Sequence, residues 1–195
     1  MSFTPFSPIP EPLDVSIDEV VDELGLSEPV RTTAKSVFET AEEENLARGR
    51  YENLSKGAAV YLSCRIHDSP TSPEEVAACC DVSEKKLLKS SRHVTKELGL
   101  PIPPADPATF IDRYAVSLGL ETSTRELAHE ILEACEGTDL SSGSPTGIAA
   151  SSIYAASSEV DGGVTQATLS ELANISPVTI RNRYTKQLDV YHNTR

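Results

Sequence analysis

The two halves of this chain repeat each other, and no other feature limits its fold as tightly. Leu24-Gly25-Leu26 recurs as Leu118-Gly119-Leu120, at an offset of 94. Arg31, Ala34 and Val37 fall on Arg125, Ala128 and Ile131 at the same offset. Further on, Ala59-Val60-Tyr61 falls on Ser152-Ile153-Tyr154, and Val76, Val82 and Leu87 fall on Leu169, Ile175 and Ile180, all at an offset of 93. A one-residue slip in a loop accounts for the change. A near-constant offset across three segments implies one supersecondary unit copied in tandem.

Each copy reads as helical. The 28–47 stretch carries Val30, Ala34, Val37, Phe38 and Ala41 at helical spacing, with Glu42-Glu43-Glu44 on a solvated face. Alternating β-branched residues are scarce. Turn signals fall at Gly25, Gly49-Arg50, 69–73 and Gly99, then at Gly119, 141–145, Asp161-Gly162-Gly163 and Ser176-Pro177. They mark about five helices per repeat. The fold class expected is therefore all-α: a flexible Pro-rich N-terminus (1–14), a first repeat (15–100), a stiff Pro-rich linker (101–107) and a second repeat (108–192).

At 38% apolar and 24% charged, the 195-residue chain is globular rather than disordered. It has no run of about 18 apolar residues, so no membrane partner is expected. The net charge of −13 argues, at first sight, against nucleic acid. Its distribution argues otherwise. Residues 1–30 sum to −7, 31–84 to −4 and 97–180 to −10. Residues 85–96 sum to +5 and 181–195 to +3. Basic residues also cluster on solvated helix faces that do nothing. Two such islands at equivalent places of a repeat are harder to set aside.

Both islands lie in the last helix of a repeat. Residues 73–97 and 166–189 each fit a helix–turn–helix. A small residue, Ala77 or Ser170, permits close crossing. Asp81 or Asn174 follows four positions later, where a turn favours a positive φ that Asp and Asn tolerate better than most residues. Val82 or Ile175 plugs the turn, and Leu87 or Ile180 anchors the second helix. Ser83 and Ser176 are N-caps for that helix, and Pro177 suits its first position. Helical hairpins that never touch DNA share this pattern, so the charge must add to it. In a helix–turn–helix the second helix enters the major groove by its N-terminal residues. Val178 and Arg181 share a face there, suited to a thymine methyl and a guanine edge. Asn182, Arg183 and Lys186 are placed for phosphates.

With those residues in hand, SPTGIAASSIYAAS (144–157) and TIRNRY (179–184) resemble the second core repeat of archaeal transcription initiation factor B, the relative of eukaryotic TFIIB. LGLSEPVRTTAKSVF (24–38), ENLARGR (44–50) and AVYLSCR (59–65) resemble its first. The resemblance covers roughly residues 15–192. It implies two cyclin-like five-helix domains that bind TATA-binding protein (TBP) on promoter DNA. It carries base contact onto Val178 and Arg181, and a TBP- and DNA-facing role onto Lys85, Lys86, Lys89 and Arg92. Family members also contact RNA polymerase through a zinc ribbon, and no ribbon spacing occurs in this sequence, so polymerase recruitment is not carried over. Two alternatives stay open: a ribbonless regulator that competes with a full-length factor, and a cyclin-like interaction module without DNA binding.

Other reactive-looking residues fit no site. Cys64, Cys79, Cys80 and Cys135 lack metal-ligand spacing and are expected as buried, reduced thiols of a cytoplasmic protein. The four histidines are scattered. Gly143-Ser144-Pro145-Thr146-Gly147 misses a nucleophile elbow, because Pro145 occupies its centre. No phosphate-binding glycine motif occurs. No enzyme, cofactor or metal is therefore expected, and a monomer is. The acidic surface, low aromatic content and absence of Trp suggest a salt-loving archaeal cytoplasm.

Overall fold

The computed structural model describes residues 15–47, 52–160 and 163–194. The expected flexible N-terminus (1–14) lies outside the described residues, as do the turn signals at Gly49-Arg50 and Asp161-Gly162. Among the described residues there are ten α-helices and no strand. They fall into two compact units, and the chain passes from one to the other between Ile102 and Pro103. Residues 68–70 group with the second unit.

The first unit holds α1 (Ile17–Glu23), α2 (Glu28–Glu43), α3 (Glu52–Ile66), α4 (Pro73–Cys79) and α5 (Glu84–Leu98). Short polar residues start these helices by accepting backbone N–H bonds that the first turn leaves unpaired. Ser16 with Glu19 and Ser72 with Glu75 form complete capping boxes. The helical pattern over 28–47 stops at Glu43, because Asn45 takes φ 61° and sends the Leu46 N–H back to the Ala41 carbonyl. α3 runs through the middle of the unit, packed by α1, α2, α4 and α5. Its residues Gly57–Cys64 are all buried, as expected of a helix surrounded on every side. Gly57 permits the crossing beneath it: a Cβ there would stand 2.9 Å from Cys80 Sγ and 3.1 Å from Leu87 Cδ1.

The second unit holds α6 (Pro107–Leu118), α7 (Thr122–Ala134), α8 (Pro145–Val160), α9 (Gln166–Ala173) and α10 (Pro177–Thr194), with a 3-10 turn at Asp139–Ser141. Pro107, read from sequence as the linker's end, is the first residue of α6, whose N-cap is Asp106. α8 occupies the place of α3, packed by α6, α7, α9 and α10. Its inner residues are small or β-branched, including Ala149, Ala150, Ile153 and Ala155, all fully buried. Small residues let the surrounding helices approach closely.

The copy extends to ion pairs. Asp18 meets Arg31 and Lys35, each at 2.8 Å. At an offset of 94, Asp112 meets His129 at 2.8 Å and Arg125 at 4.0 Å. Lys35 first, then Arg31, hold the Asp18 carboxyl below its ordinary pKa. Apart from Arg31 the side chains keep about a third or more of their surface in water, so the pairs mark the repeat more than they stabilise it.

Candidate nucleic-acid interface

Each unit ends in the helix pair expected from spacing. Asp81 and Asn174 take φ 50° and 44°, the left-handed turn conformation. The next residue in each, Val82 or Ile175, donates its N–H five residues back, to Ala77 at 3.0 Å or Ser170 at 3.1 Å. This closes the first helix and aims the chain into the second. Ser83 then accepts from the Lys86 N–H at 3.4 Å, and Ser176 from the Thr179 N–H at 3.1 Å. Leu87 and Ile180 are fully buried and fix the second helices to their cores.

Burying Ile180, Gln187 and Tyr191 decides which way α10 faces. At about 100° per residue, Val178, Arg181 and Asn182 then point away from the core. All three are exposed, and Lys186 is exposed on the shoulder of the same surface. Val178 keeps 53% of its surface in water, a high value for a large apolar side chain at a helix start. No acidic residue occurs from Leu172 to Leu188. On α5, Lys85, Lys86, Lys89 and Arg92 are all exposed. Lys85, Lys89 and Arg92 share one face by their spacing, with Lys86 to one side.

Arg183 departs from the expected phosphate role. It is half-buried, and its Nη1 and Nη2 donate to the Leu140 and Ser142 carbonyls at 2.6 and 2.9 Å. Burial lowers its pKa, and the two carbonyls replace the water that the guanidinium loses. It ties α10 to the turn that precedes α8. Gly143, with φ 122°, lies beneath it, where a Cβ would stand 2.8 Å from Nη2. Gln187 was also missed: it is fully buried and donates Nε2–H to Ser152 Oγ at 2.9 Å. Of the four cysteines, Cys64, Cys80 and Cys135 are buried, but Cys79 is only half-buried, beside Glu23. Burial pushes the Cys80 thiol up to about 12.

Comparison with known proteins bears on what this frame belongs to. The family described as "Transcription factor TFIIB repeat" matches residues 14–97 and again 102–190. The chain belongs to the TFIIB family. Its two matches coincide with the two five-helix units, so the all-α, cyclin-like repeat is the fold of each TFIIB repeat here. Similar relatives include Transcription initiation factor IIB of Archaeoglobus fulgidus, 38% identical over 86% of this chain and 52% of that protein. Transcription initiation factor IIB 6 of Halobacterium salinarum is 38% identical over 89% of this chain and 54% of its own length. Transcription initiation factor IIB 2 of Haloferax volcanii is 37% identical over 91% and 54%. The chain thus spans about half the length of the curated TFIIB-family relatives it matches.

Proposed function

We propose that this chain acts in archaeal transcription initiation by binding promoter DNA together with TBP, as the two-repeat core of a TFIIB-type factor. The observation that carries the reading is the outer face of α10. Val178, Arg181 and Asn182 are exposed together at the start of the second helix of a helix–turn–helix, in a segment free of carboxylates. Val178 packs on a thymine methyl, and Arg181 bonds a guanine edge. Asn182 and Lys186 meet phosphates and set the register. In the first repeat, Lys85, Lys86, Lys89 and Arg92 face the TBP–DNA junction. The acidic remainder of the chain turns phosphates away from other surfaces, which restricts DNA to these two helices. Similarity to initiation factors over nearly the whole chain supports the same role.

The test is a gel shift with TBP and TATA-containing duplex at several salt concentrations. A ternary complex is expected, and Arg181→Ala should cost about 1–3 kcal/mol on the preferred upstream sequence. The loss should shrink on a scrambled upstream sequence. Absence of a ternary complex at every salt concentration overturns the proposal.

A further inference from the structure

The two repeats part ways at one position of their last helices. At the offset of 93, Tyr61 answers to Tyr154 and Ser91 answers to Tyr184. In the second repeat the Tyr184 ring meets Tyr154 edge-on, with centroids 4.7 Å apart and planes at 81°. That is a favoured geometry for two aromatic rings. The first repeat keeps the receiving tyrosine and lacks the inserted one. Ser91 turns its hydroxyl back to the Leu87 carbonyl at 2.9 Å. A cavity of about 310 Å³ lies there, between α3 and α5, with Tyr61, Leu62, Leu88 and Ile102 as its apolar lining.

The charged lining of this cavity is all cationic. It consists of Arg65, Arg92 and Lys96, and no carboxylate belongs to it. Their counterparts are Ser158, Thr185 and Asp189, so the cations occur only in the repeat where the ring is missing. Arg92 and Lys96 are exposed neighbours, four residues apart on one helix face. Arg92 donates its Nε–H to the Leu88 carbonyl at 3.2 Å, and neither it nor Lys96 pairs with a carboxylate among the described residues. In a chain with 30 acids against 17 Lys and Arg, two adjacent unpaired cations beside an apolar cavity call for an anion from outside.

We propose that this cavity binds a small aromatic acid: a molecule with one ring or two fused rings, and one carboxylate. The ring takes the place that Tyr184 fills in the second repeat, edge-on to Tyr61 and beside Leu88 and Ile102. The carboxylate sits between Arg92 and Lys96. Arg65 belongs to the wall, because its Nη1 donates to the Tyr61 hydroxyl at 3.3 Å and its guanidinium stands 6.0 Å from the ring centre. A cavity of roughly 150 Å³ holds a benzene ring, so there is room here for a ring and its substituent. A mostly apolar lining with a few placed charges is the usual make-up of a small-molecule pocket, and the volume is at the lower end of their range. Ring site and anion site fall within this one small cavity, which favours a single compact molecule that carries both groups. The site is separate from the α10 surface and does not rest on the DNA-binding reading.

The chain has no Trp, so an indole ligand can be followed by its own fluorescence. The probe is indole-3-acetate, titrated with the full chain and read by fluorescence anisotropy. Saturable binding is expected, weakened about tenfold or more for 3-methylindole, which lacks the carboxylate. Acetate, which lacks the ring, should not displace the probe. Lys96→Met keeps the stem without the charge and should weaken binding about as much as removing the carboxylate does. Ser91→Tyr supplies the second repeat's own side chain and should abolish saturation, provided its melting temperature shows a folded chain. A further measurement on the unaltered chain does not depend on either variant: nuclear Overhauser effects should connect the indole protons with the methyl groups of Leu88 or Ile102. Absence of saturation at millimolar probe overturns the proposal. So do equal binding of 3-methylindole, Overhauser effects to other methyl groups only, and unchanged binding by folded Ser91→Tyr. Displacement of the probe by a lower concentration of an acidic decapeptide with a central Phe also overturns it, and gives the cavity to a protein segment.

Discussion

Where α3 crosses α5 in the first repeat, Ala59 and Val94 share one apolar cluster. Where α8 crosses α10 in the second, the same two positions hold Ser152 and Gln187, joined by a hydrogen bond at 2.9 Å in a fully buried setting. The contrast continues along the helix. Ser90 becomes Arg183, bonded to two carbonyls of the turn before α8. Further on, the Tyr191 hydroxyl donates to Glu130 at 2.9 Å and His192 lies 3.1 Å from Glu159. So α5 is held mostly by apolar contact and leaves a cavity beside it, whereas α10 is held by directional bonds and fills the same place with Tyr184. Apolar contacts are non-directional, whereas hydrogen bonds add a preferred direction to the packing. The helix proposed to read bases is the one held by directional bonds as well as by its apolar anchor, and a base-reading face is useful only if it points in one direction.

The largest effects should fall where the repeats agree. Leu87 and Ile180 are fully buried anchors at the same position. Leu87→Ala and Ile180→Ala should each destabilise their own repeat by about 2–5 kcal/mol, through lost burial and the cavity left behind. Urea unfolding followed by helical circular dichroism would measure both. A near-zero loss at one of them would break the equivalence on which the comparison depends.

Those shared parts were the legible ones. The tandem offset, the serine N-caps, the turn residues Asp81 and Asn174 and the two anchors follow from spacing and from rules that act over a few residues. The same offset applied to the acids would also have paired Asp112 with Arg125 and His129. What could not be read is what depends on distant partners. Arg183 in a basic run reads as one more cation, because its acceptors lie 43 and 41 residues earlier in a turn with no local cue. The cavity beside Ser91 is equally silent, since a neighbour can fill the space a small residue leaves, and only packing shows that none does. Cys79 reads like Cys80, yet a one-residue step around α4 separates a half-buried thiol from a buried one.

A second prediction concerns Arg183. Arg183→Gln removes charge-assisted bonds to two backbone carbonyls and should cost the second repeat about 1–3 kcal/mol, discounted for its partial exposure. A thermal melt measures that loss. If the residue acts as a strut, the slope of log affinity against log salt for DNA stays unchanged. A phosphate contact would instead lower the slope by about 1. A lowered slope with unchanged stability would return Arg183 to the phosphate group of Asn182 and Lys186 and erase one of the differences between the repeats.

The smallest effect discriminates most finely. Ser152→Ala leaves the Gln187 amide buried with its donor unmatched, at a cost of about 1–2 kcal/mol. Gln187 Oε1 already has no partner among the described residues, so the amide would then be unsatisfied at both ends. The opposite deletion should be cheap. In Gln187→Leu the Ser152 hydroxyl can turn to the carbonyl four residues back, as Ser63 does with Ala59 and Ser151 with Gly147, both at 2.7 Å. The double variant, Ser152→Ala with Gln187→Leu, recreates the apolar crossing of the first repeat and should recover most of what Ser152→Ala loses. A double-mutant cycle in urea would therefore be asymmetric: one costly arm, one near-neutral arm and a rescue. Full stability need not mean full function, because the rescued crossing has regained burial but not direction. If the double variant matches the parent in stability but loses upstream-sequence preference in the gel shift, the buried amide is there to aim α10. If preference survives as well, the polar crossing aims nothing, and the rotation of α10 must be set by Arg183 and the bonds at its C-terminal end.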